Sequence, residues 1–352
     1  MSENPMKPTP PKNLSPLTPS PTPARGEGSS NKLRLGIIGC GAIARRHAEW
    51  LVADGRAEVR VCSDPHRAHA EALRRDYFPQ AIVEEDERNA FDLHSELDAV
   101  IICSPTLRHH HQVCRALDHG LHVLCEKPLA TTREQIVEII ERANHVGRLV
   151  SIAHQRRYMS PYATARRELT ENAEFYGPLL QIHLFVCERW QQTITGTWRD
   201  DPAVGSGYFG DAGIHQIDVI HYLSDRRVKR LLATSAKRGS RVEIGTRVIA
   251  EMSGDVDLSA HFVGHAHHYR EDIHFHGRDA DLLLRTEELY RCRDNKIERI
   301  TDLVPESNPD KAFIDAVLAN RPTISPAEIA LPIFDWTRGV LDSVKHGTWV
   351  EI

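Results

Sequence analysis

Leu33 to Ile38 is an apolar run that passes directly into Gly39-Cys40-Gly41-Ala42-Ile43-Ala44 and then into a helical pattern reaching Leu51. A strand, a glycine turn and a helix in immediate succession is the fingerprint of a dinucleotide-binding unit, in the variant with alanine third. Gly39 permits the tight turn, Gly41 lets backbone approach a pyrophosphate closely, and Ala44 lets the helix pack near the strand. Ala42 and Ile43 stand at the helix start, where free N–H groups and the positive end of the helix dipole suit an anion. Glycine turns between strand and helix are common, so the weight falls on the residues downstream.

The alternation continues. A second strand, Ala57 to Ser63, ends at Asp64, roughly 20 residues past the glycines, where the fingerprint places an acid for the adenosine ribose. A carboxylate there accepts from both ribose hydroxyls and repels a 2′-phosphate, which favours NAD; Arg67 close by leaves NADP open. Ahead of Pro65, Asp64 would equally serve as a plain helix cap. A third strand, Asp98 to Cys103, leaves through Ser104-Pro105-Thr106, and His109, His110 and His111 open a helix to His119. Consecutive helical residues point about 100° apart, so these histidines cannot easily share one ion, and no metal site is expected.

Leu121 to Ala130 is again of strand type and places Glu126, Lys127 and Pro128 at the strand's end. In an open parallel sheet, ligands gather outside the carboxyl ends of the strands, so Lys127 is the first catalytic candidate. Pro128 keeps Lys127 out of the helical region, which fixes the direction of the lysine. A helix from Thr131 to Val146 and a strand at Leu149 to Ala153 complete the alternation, predicting a doubly wound parallel sheet over 32–154. The alternative for Lys127 is an ordinary surface lysine.

Past His154 the pattern changes. Gln155-Arg156-Arg157-Tyr158 begins a helical linker, a strand follows from Leu179 to Cys187, and Trp198-Arg199 and a Gly205-Ser206-Gly207 turn lead into a helix carrying Asp211, His215 and Asp218. Asp211 and His215 are four apart and share one helical face. Strands near 228–238, 245–252, 255–265 and 270–276 alternate as in an antiparallel sheet with one covered face. His265 with His267, and His274 with His276, then share faces by strand alternation. Two helices, each with Pro near its start, close the chain at Pro309–Leu318 and Pro326–Lys345.

Residues 1–31 hold eight of the 20 prolines and almost no large apolar side chains, so they read as a disordered arm. A formal net charge of −5 gives no attraction to nucleic acid, and no stretch is apolar enough for a membrane span or the core of a signal peptide. Seven cysteines without paired spacing point to free thiols in a reducing, cytoplasmic setting.

In these motifs the chain resembles the glucose-fructose oxidoreductase, inositol dehydrogenase and rhizopine-catabolism oxidoreductase family. The matching residues are Gly39 to Ala44, Ser104-Pro105 with His109, Gly120 to Ala130, Arg157-Tyr158, Trp198-Arg199 and Gly210 to Asp218. The resemblance implies a Rossmann-type dinucleotide domain over 32–154. It also implies an α+β domain over 155–352 whose open, mostly antiparallel sheet makes subunit contacts, as a dimer or tetramer. It further implies a site of Lys127, Asp211 and His215 around the nicotinamide of NAD, with NADP open. Ser104, Pro105, His109 and Glu126 would join Lys127 at the cofactor, and Arg157, Trp198 and Arg199 would face the substrate. The expected reaction is hydride transfer at a secondary alcohol of a sugar, cyclitol or related polyol, with His215 as base and Lys127 on the reacting oxygen. Two alternatives are a dinucleotide-binding regulator without catalysis and a glycosidase using transient redox; intact Glu126-Lys127-Pro128 and Asp211/His215 speak against the first.

Overall fold

The first apolar run becomes an inner strand of a parallel sheet. The structure, a computed structural model, describes residues 32–203 and 205–352; the proline-rich residues 1–31, expected to form a disordered arm, lie outside them. β1 (Leu33–Ile38), β2 (Ala57–Ser63), β3 (Ile82–Glu84), β4 (Ala99–Ile102), β5 (His122–Cys125) and β6 (Val150–Ile152) pair in parallel in the order β3-β2-β1-β4-β5-β6. They alternate with α1 (Ala42–Asp54), α2 (Arg67–Tyr77), α3 (Glu87–Asp92), α4 (Thr106–Asp118) and α5 (Arg133–Val146). The strand order reverses between β1 and β4, and that switch point opens the crevice in which such sheets bind ligands. Every residue of β4, β5 and β6 is buried, as helices covering both faces require. Local chemistry sets the helix ends: Gly55 (φ 72°) and Gly147 (φ 64°) close α1 and α5 in the left-handed region, and the Thr132 hydroxyl starts α5 by accepting from the Gln135 N–H. α4 begins at Thr106, three residues before the histidines expected to open it, because Pro105 supplies the extended residue ahead of its first turn. β3 and α3 were not visible in the sequence; β3 has three residues, too few to show a period.

After a 3-10 turn at Gln155–Tyr158 come α6 (Ser160–Glu171), the short α7 (Ala173–Tyr176), β7 (Leu179–Cys187), α8 (Trp190–Ile194), α9 (Ile214–Ser224), β8 (Val228–Ala236), β9 (Gly245–Met252) and β10 (Val256–Val263). β11 (Arg270–Gly277), β12 (Asp281–Arg285), β13 (Glu288–Arg293), β14 (Lys296–Arg299), α10 (Pro309–Leu318), α11 (Ala330–His346) and β15 (Val350–Glu351) finish the chain. The nine strands form one sheet in the order β14-β13-β12-β11-β7-β10-β9-β8-β15. Neighbours are antiparallel except β7 and β10, which run parallel because α8 and α9 carry the chain across between them and the β8–β9 hairpin. Side chains of the inner face join α9 and α11 in a core that includes Ile182, Leu184, Ile217, Ile220, Phe262 and Trp336. The opposite face is open and carries His183, Phe185, Ile249, His261, His274 and His276. His274 and His276 share that face as alternation requires, whereas His265 and His267 do not: β10 ends at Val263, and both lie in the following turn.

The chain then returns to the first unit. Phe313, Ile314, Ala316 and Val317 of α10 are buried in one core with Leu35 and Ile37 of β1 and Ala44 of α1. Ala327 and Ala330 join the core on the other face of the parallel sheet, and Pro326 bridges Ser151 beside β6. A division at 154/155 assigns these residues to the second unit. An amphipathic helix shows that it has a partner face, not which sheet supplies it.

Arg157 joins these parts. Its guanidinium donates to the Asp218 carboxylate of α9 at 2.7 Å and to the Ile324 carbonyl at 2.6 Å, and Arg157 and Asp218 are 4% and 1% exposed. Removing one partner of a buried pair leaves an uncompensated charge. Arg157→Met is expected to lower unfolding free energy by about 3–5 kcal/mol in urea titrations, and Arg157→Met with Asp218→Leu by much less. A loss below about 1 kcal/mol for the single variant would show that the pair does not hold the units together.

Candidate active site

At the carboxyl end of β1, Gly39 has φ 87°, and a Cβ placed there would lie 2.6 Å from the Ser104 backbone nitrogen. Only glycine fits between the turn and the exit of β4. A Cβ at Gly41 would meet nothing within 4 Å, so the outer side of the turn is open for a ligand. The first turn of α1, with Ala42 and Ile43 at its outer end, contains no acidic residue, and Ala44 is fully buried against the sheet. This arrangement fits a pyrophosphate received by backbone N–H groups. Asp64 closes the turn from β2: one oxygen accepts from the Cys40 N–H and the other from the His66 N–H, both at 2.8 Å. It is not the cap of α2, which starts at Arg67 behind His66 with no side-chain cap bond.

The exits of β4 and β5 face this turn. His109, expected at the cofactor, is instead buried, with Nδ1 2.8 Å from the Pro128 carbonyl and Nε2 2.8 Å from the Ser104 carbonyl. It ties the Ser104-Pro105 loop to the strand exit at 128, and its ring nitrogens are occupied. The Lys127–Pro128 peptide is cis. Glu126 also points inward: Oε1 lies 3.1 Å from His47 Nε2, and Oε2 accepts from the Lys127 N–H at 3.1 Å. Only Lys127 of the three leaves the sheet. Its Nζ donates to the Asp211 carbonyl at 3.3 Å, which brings the two halves of the molecule together at one point.

Asp211 does not sit on a regular helix with His215. Residues Phe209–Gly213 form a π-helical turn and α9 begins at Ile214, so the expected sharing of one α-helical face is replaced by a wider turn, a feature often found at functional sites. Gly213 lets the turn pack closely on β10, since a Cβ there would lie 3.1 Å from the Phe262 ring. The Asp211 carboxylate accepts from Arg199 Nε at 2.9 Å, and the Arg199 guanidinium lies over the Trp198 ring at 4.4 Å. Trp198 is 60% exposed, so these residues form a rim beside Asp211. Burial, and after it the positive charges of Lys127 and Arg156 and the neighbouring His154, hold His215 well below the usual histidine value. The imidazole is therefore neutral at pH 7 and able to take a proton.

Arg157 does not face this site; its guanidinium is spent on Asp218. Arg156 is the arginine in the electrostatic neighbourhood of His215, with its guanidinium donating to Glu271 and to the Tyr269 hydroxyl. Successive residues of a 3-10 turn point about 120° apart, so only one of two adjacent arginines can turn this way. Glu271 also accepts from Gln216, the residue after His215. Glu188, at the end of β7, has its carboxyl raised by burial, against the pull of Arg156 and with the help of Asp211. Arg156, His154 and Glu188 carried no spacing signal; they meet His215 and Asp211 only through the tertiary fold.

Comparison with known proteins identifies the family of the chain. Residues 33–154 match the family model described as an oxidoreductase family with an NAD-binding Rossmann fold, and residues 162–283 match the GFO/IDH/MocA C-terminal domain. The chain is 34% identical over 201 residues to an inositol 2-dehydrogenase of Paracoccus denitrificans, a match spanning 55% of this chain and 54% of that one. It thus spans about half the length of that relative. A D-glucoside 3-dehydrogenase of Escherichia coli is 26% identical over 360 residues, 92% of this chain and 99% of its own. A crystal structure of an oxidoreductase domain protein from Kribbella flavida has the same fold, with a TM-score of 0.81 at 18% identity over 92% of this chain and 99% of that one. Matches to both halves of one family, in order along the chain, place this protein in the GFO/IDH/MocA oxidoreductase family, with that family's NAD-binding Rossmann fold as its first unit.

Proposed function

We propose that the protein is an NAD-dependent dehydrogenase that moves a hydride between the nicotinamide and a secondary alcohol of a sugar, cyclitol or related polyol. The observation that carries this is the contact of Lys127 Nζ with the Asp211 carbonyl, which sets an ammonium from the strand exit beside the turn that leads to a neutral His215. When bound, the nicotinamide supplies the hydride acceptor. His215 takes the hydroxyl proton as the C–H hydride leaves, and Lys127 donates to the same oxygen and stabilises its growing negative charge. Asp211, held by Arg199, orients the substrate, and Trp198 offers an apolar face against which a sugar ring can stack. Arg67 pairs with Glu71 and Glu85 at the surface, and the Asp64 carboxylate at the end of β2 would repel a 2′-phosphate, which supports NAD over NADP. A reducing, cytoplasmic setting suits seven unpaired cysteines, six of them buried.

We further propose that the open face of the nine-stranded sheet joins two copies of the chain. It exposes Phe185 and Ile249 beside His183, His274 and His276, whose rings lie 5.3 Å (His183 to His276) and 5.9 Å (His274 to His276) apart. Burial lowers His183 and His274 from the ordinary histidine value, so both charge only below about pH 6.5. Light scattering between about pH 8 and 5.5 should show an oligomer that loosens on the acid side; a monomer throughout, or one unchanged oligomer, would contradict this.

Purified protein with NAD and a panel of sugars and cyclitols should accumulate reduced cofactor; turnover of a glycoside with no net reduced cofactor would instead indicate transient redox. Lys127→Met and His215→Ala should each lower kcat at least about a hundredfold with NAD affinity nearly intact. Their combination should lose less than the product, since both act on one oxygen. Because the His215 proton equilibrium is displaced downward, kcat should stay level as pH falls through 6.5 and drop only in more acid solution. Near-normal turnover in both single variants would put the chemistry elsewhere.

Asp64→Ser tests the cofactor end. The substitution removes a ribose acceptor and a charge that repels a 2′-phosphate, so affinity for NAD should fall much more than affinity for NADP. An unchanged NAD to NADP ratio would restrict Asp64 to holding the Cys40 turn.

A further inference from the structure

His47, in the second turn of α1, is completely buried and takes no part in the proton and hydride transfers assigned to Lys127 and His215. Its Nδ1 lies 3.0 and 2.9 Å from the two carboxylate oxygens of Asp310, in the first turn of α10. Its Nε2 lies 3.1 Å from Glu126 Oε1 at the exit of β5. The Cys103 thiol at the end of β4 and the edge-on ring of Trp50 are its other neighbours. A neutral imidazole has a single N–H, and between two carboxylates it would aim a lone pair at one of them. An imidazolium donates to both and compensates charges that burial alone would make costly. The other oxygen of Glu126 accepts from the Lys127 backbone N–H, so contacts run unbroken from Asp310 through His47 and Glu126 to Lys127.

We propose that His47 is a positioning residue for hydride transfer: as an imidazolium clamped between Asp310 and Glu126, it fixes the strand exit from which Lys127 reaches the substrate. This rests on the reading of Lys127 as the donor to the reacting oxygen. The clamp ties together, by polar contacts, three pieces of chain: the helix that receives the pyrophosphate, the exit of β5, and a helix contributed from near residue 310. Burial opposes the charge on His47, but the Asp310 carboxylate facing it outweighs burial and holds the imidazole well above its ordinary range. Glu126 is held ionised, against burial, chiefly by its hydrogen bond from His47.

Asp310→Asn keeps the shape of the clamp and removes the carboxylate that does most to hold its cation, leaving Glu126 alone. Burial then dominates at His47, which is charged in acid and loses its proton as pH rises through a lowered value, releasing Glu126. In this variant kcat should fall at least about tenfold between about pH 6 and 8, where the parent holds level, while NAD affinity measured by fluorescence stays within about threefold. A purely structural role would lower the melting temperature and leave the shape of the pH profile unchanged, and that result would overturn the proposal. Should Asp310→Asn fail to fold, nitrogen NMR of the histidine-labelled parent decides: an imidazole still cationic at about pH 8 supports the clamp, and all imidazoles neutral at that pH overturns it. The NMR result does not depend on turnover, so a protein that oxidises no polyol yet keeps this cation would fail the dehydrogenase reading alone.

Discussion

The arrangement of the site depends on one buried ion pair. Arg157 stands just past the last parallel strand, Asp218 lies on the helix that carries His215, and the Ile324 carbonyl belongs to the segment that returns to the first unit. With both side chains withdrawn from water, the pair tolerates little change in geometry, because any opening exposes an uncompensated charge to a low-dielectric interior. His215 is three residues from Asp218, close to one helical turn, so the register of α9 against the parallel sheet is set by this contact. The meeting of Lys127 and Asp211 depends on that register.

Much of this was legible in the sequence, for reasons that differ by element. β1, β2 and β7 begin and end where the apolar runs do, since each run is bounded by a turn residue or a charge. The glycines at 39 and 41 and the acid at 64 were readable because a tight turn and a close backbone approach restrict residue type severely. Lys127 was readable because a charge at the end of a parallel strand faces a crevice. The helix carrying Asp211 was expected to be regular; the π turn that displaces Asp211 has no periodic mark, and only the glycines at 210 and 213 hint at it.

The features that could not be read mostly concern which side of the chain a residue faces. Arg156 and Arg157 are neighbours with the same chemistry, and the fold sends one into an interior pair and leaves the other near the His215 imidazole. His109 and Glu126 lie within the right motifs yet turn their side chains inward, where they brace loops. Motif membership therefore identified the neighbourhood of each residue, and hydrogen bonding between distant segments decided its task. The same holds for β12, β13 and β14, short strands rich in charge that pair one after another outward from β11.

The return of the chain to its first unit bears on how the protein is made. Phe313, Ile314 and Val317 fill one side of the dinucleotide unit's core, and Asp310 supplies the carboxylate that faces His47 there. On a ribosome the parallel sheet emerges well before α10, so that side stays uncovered and His47 faces an empty place until residues 309–318 have been synthesised. A nascent sheet in this state exposes apolar surface until α10 has been made, so a late-made helix closes an early-made unit.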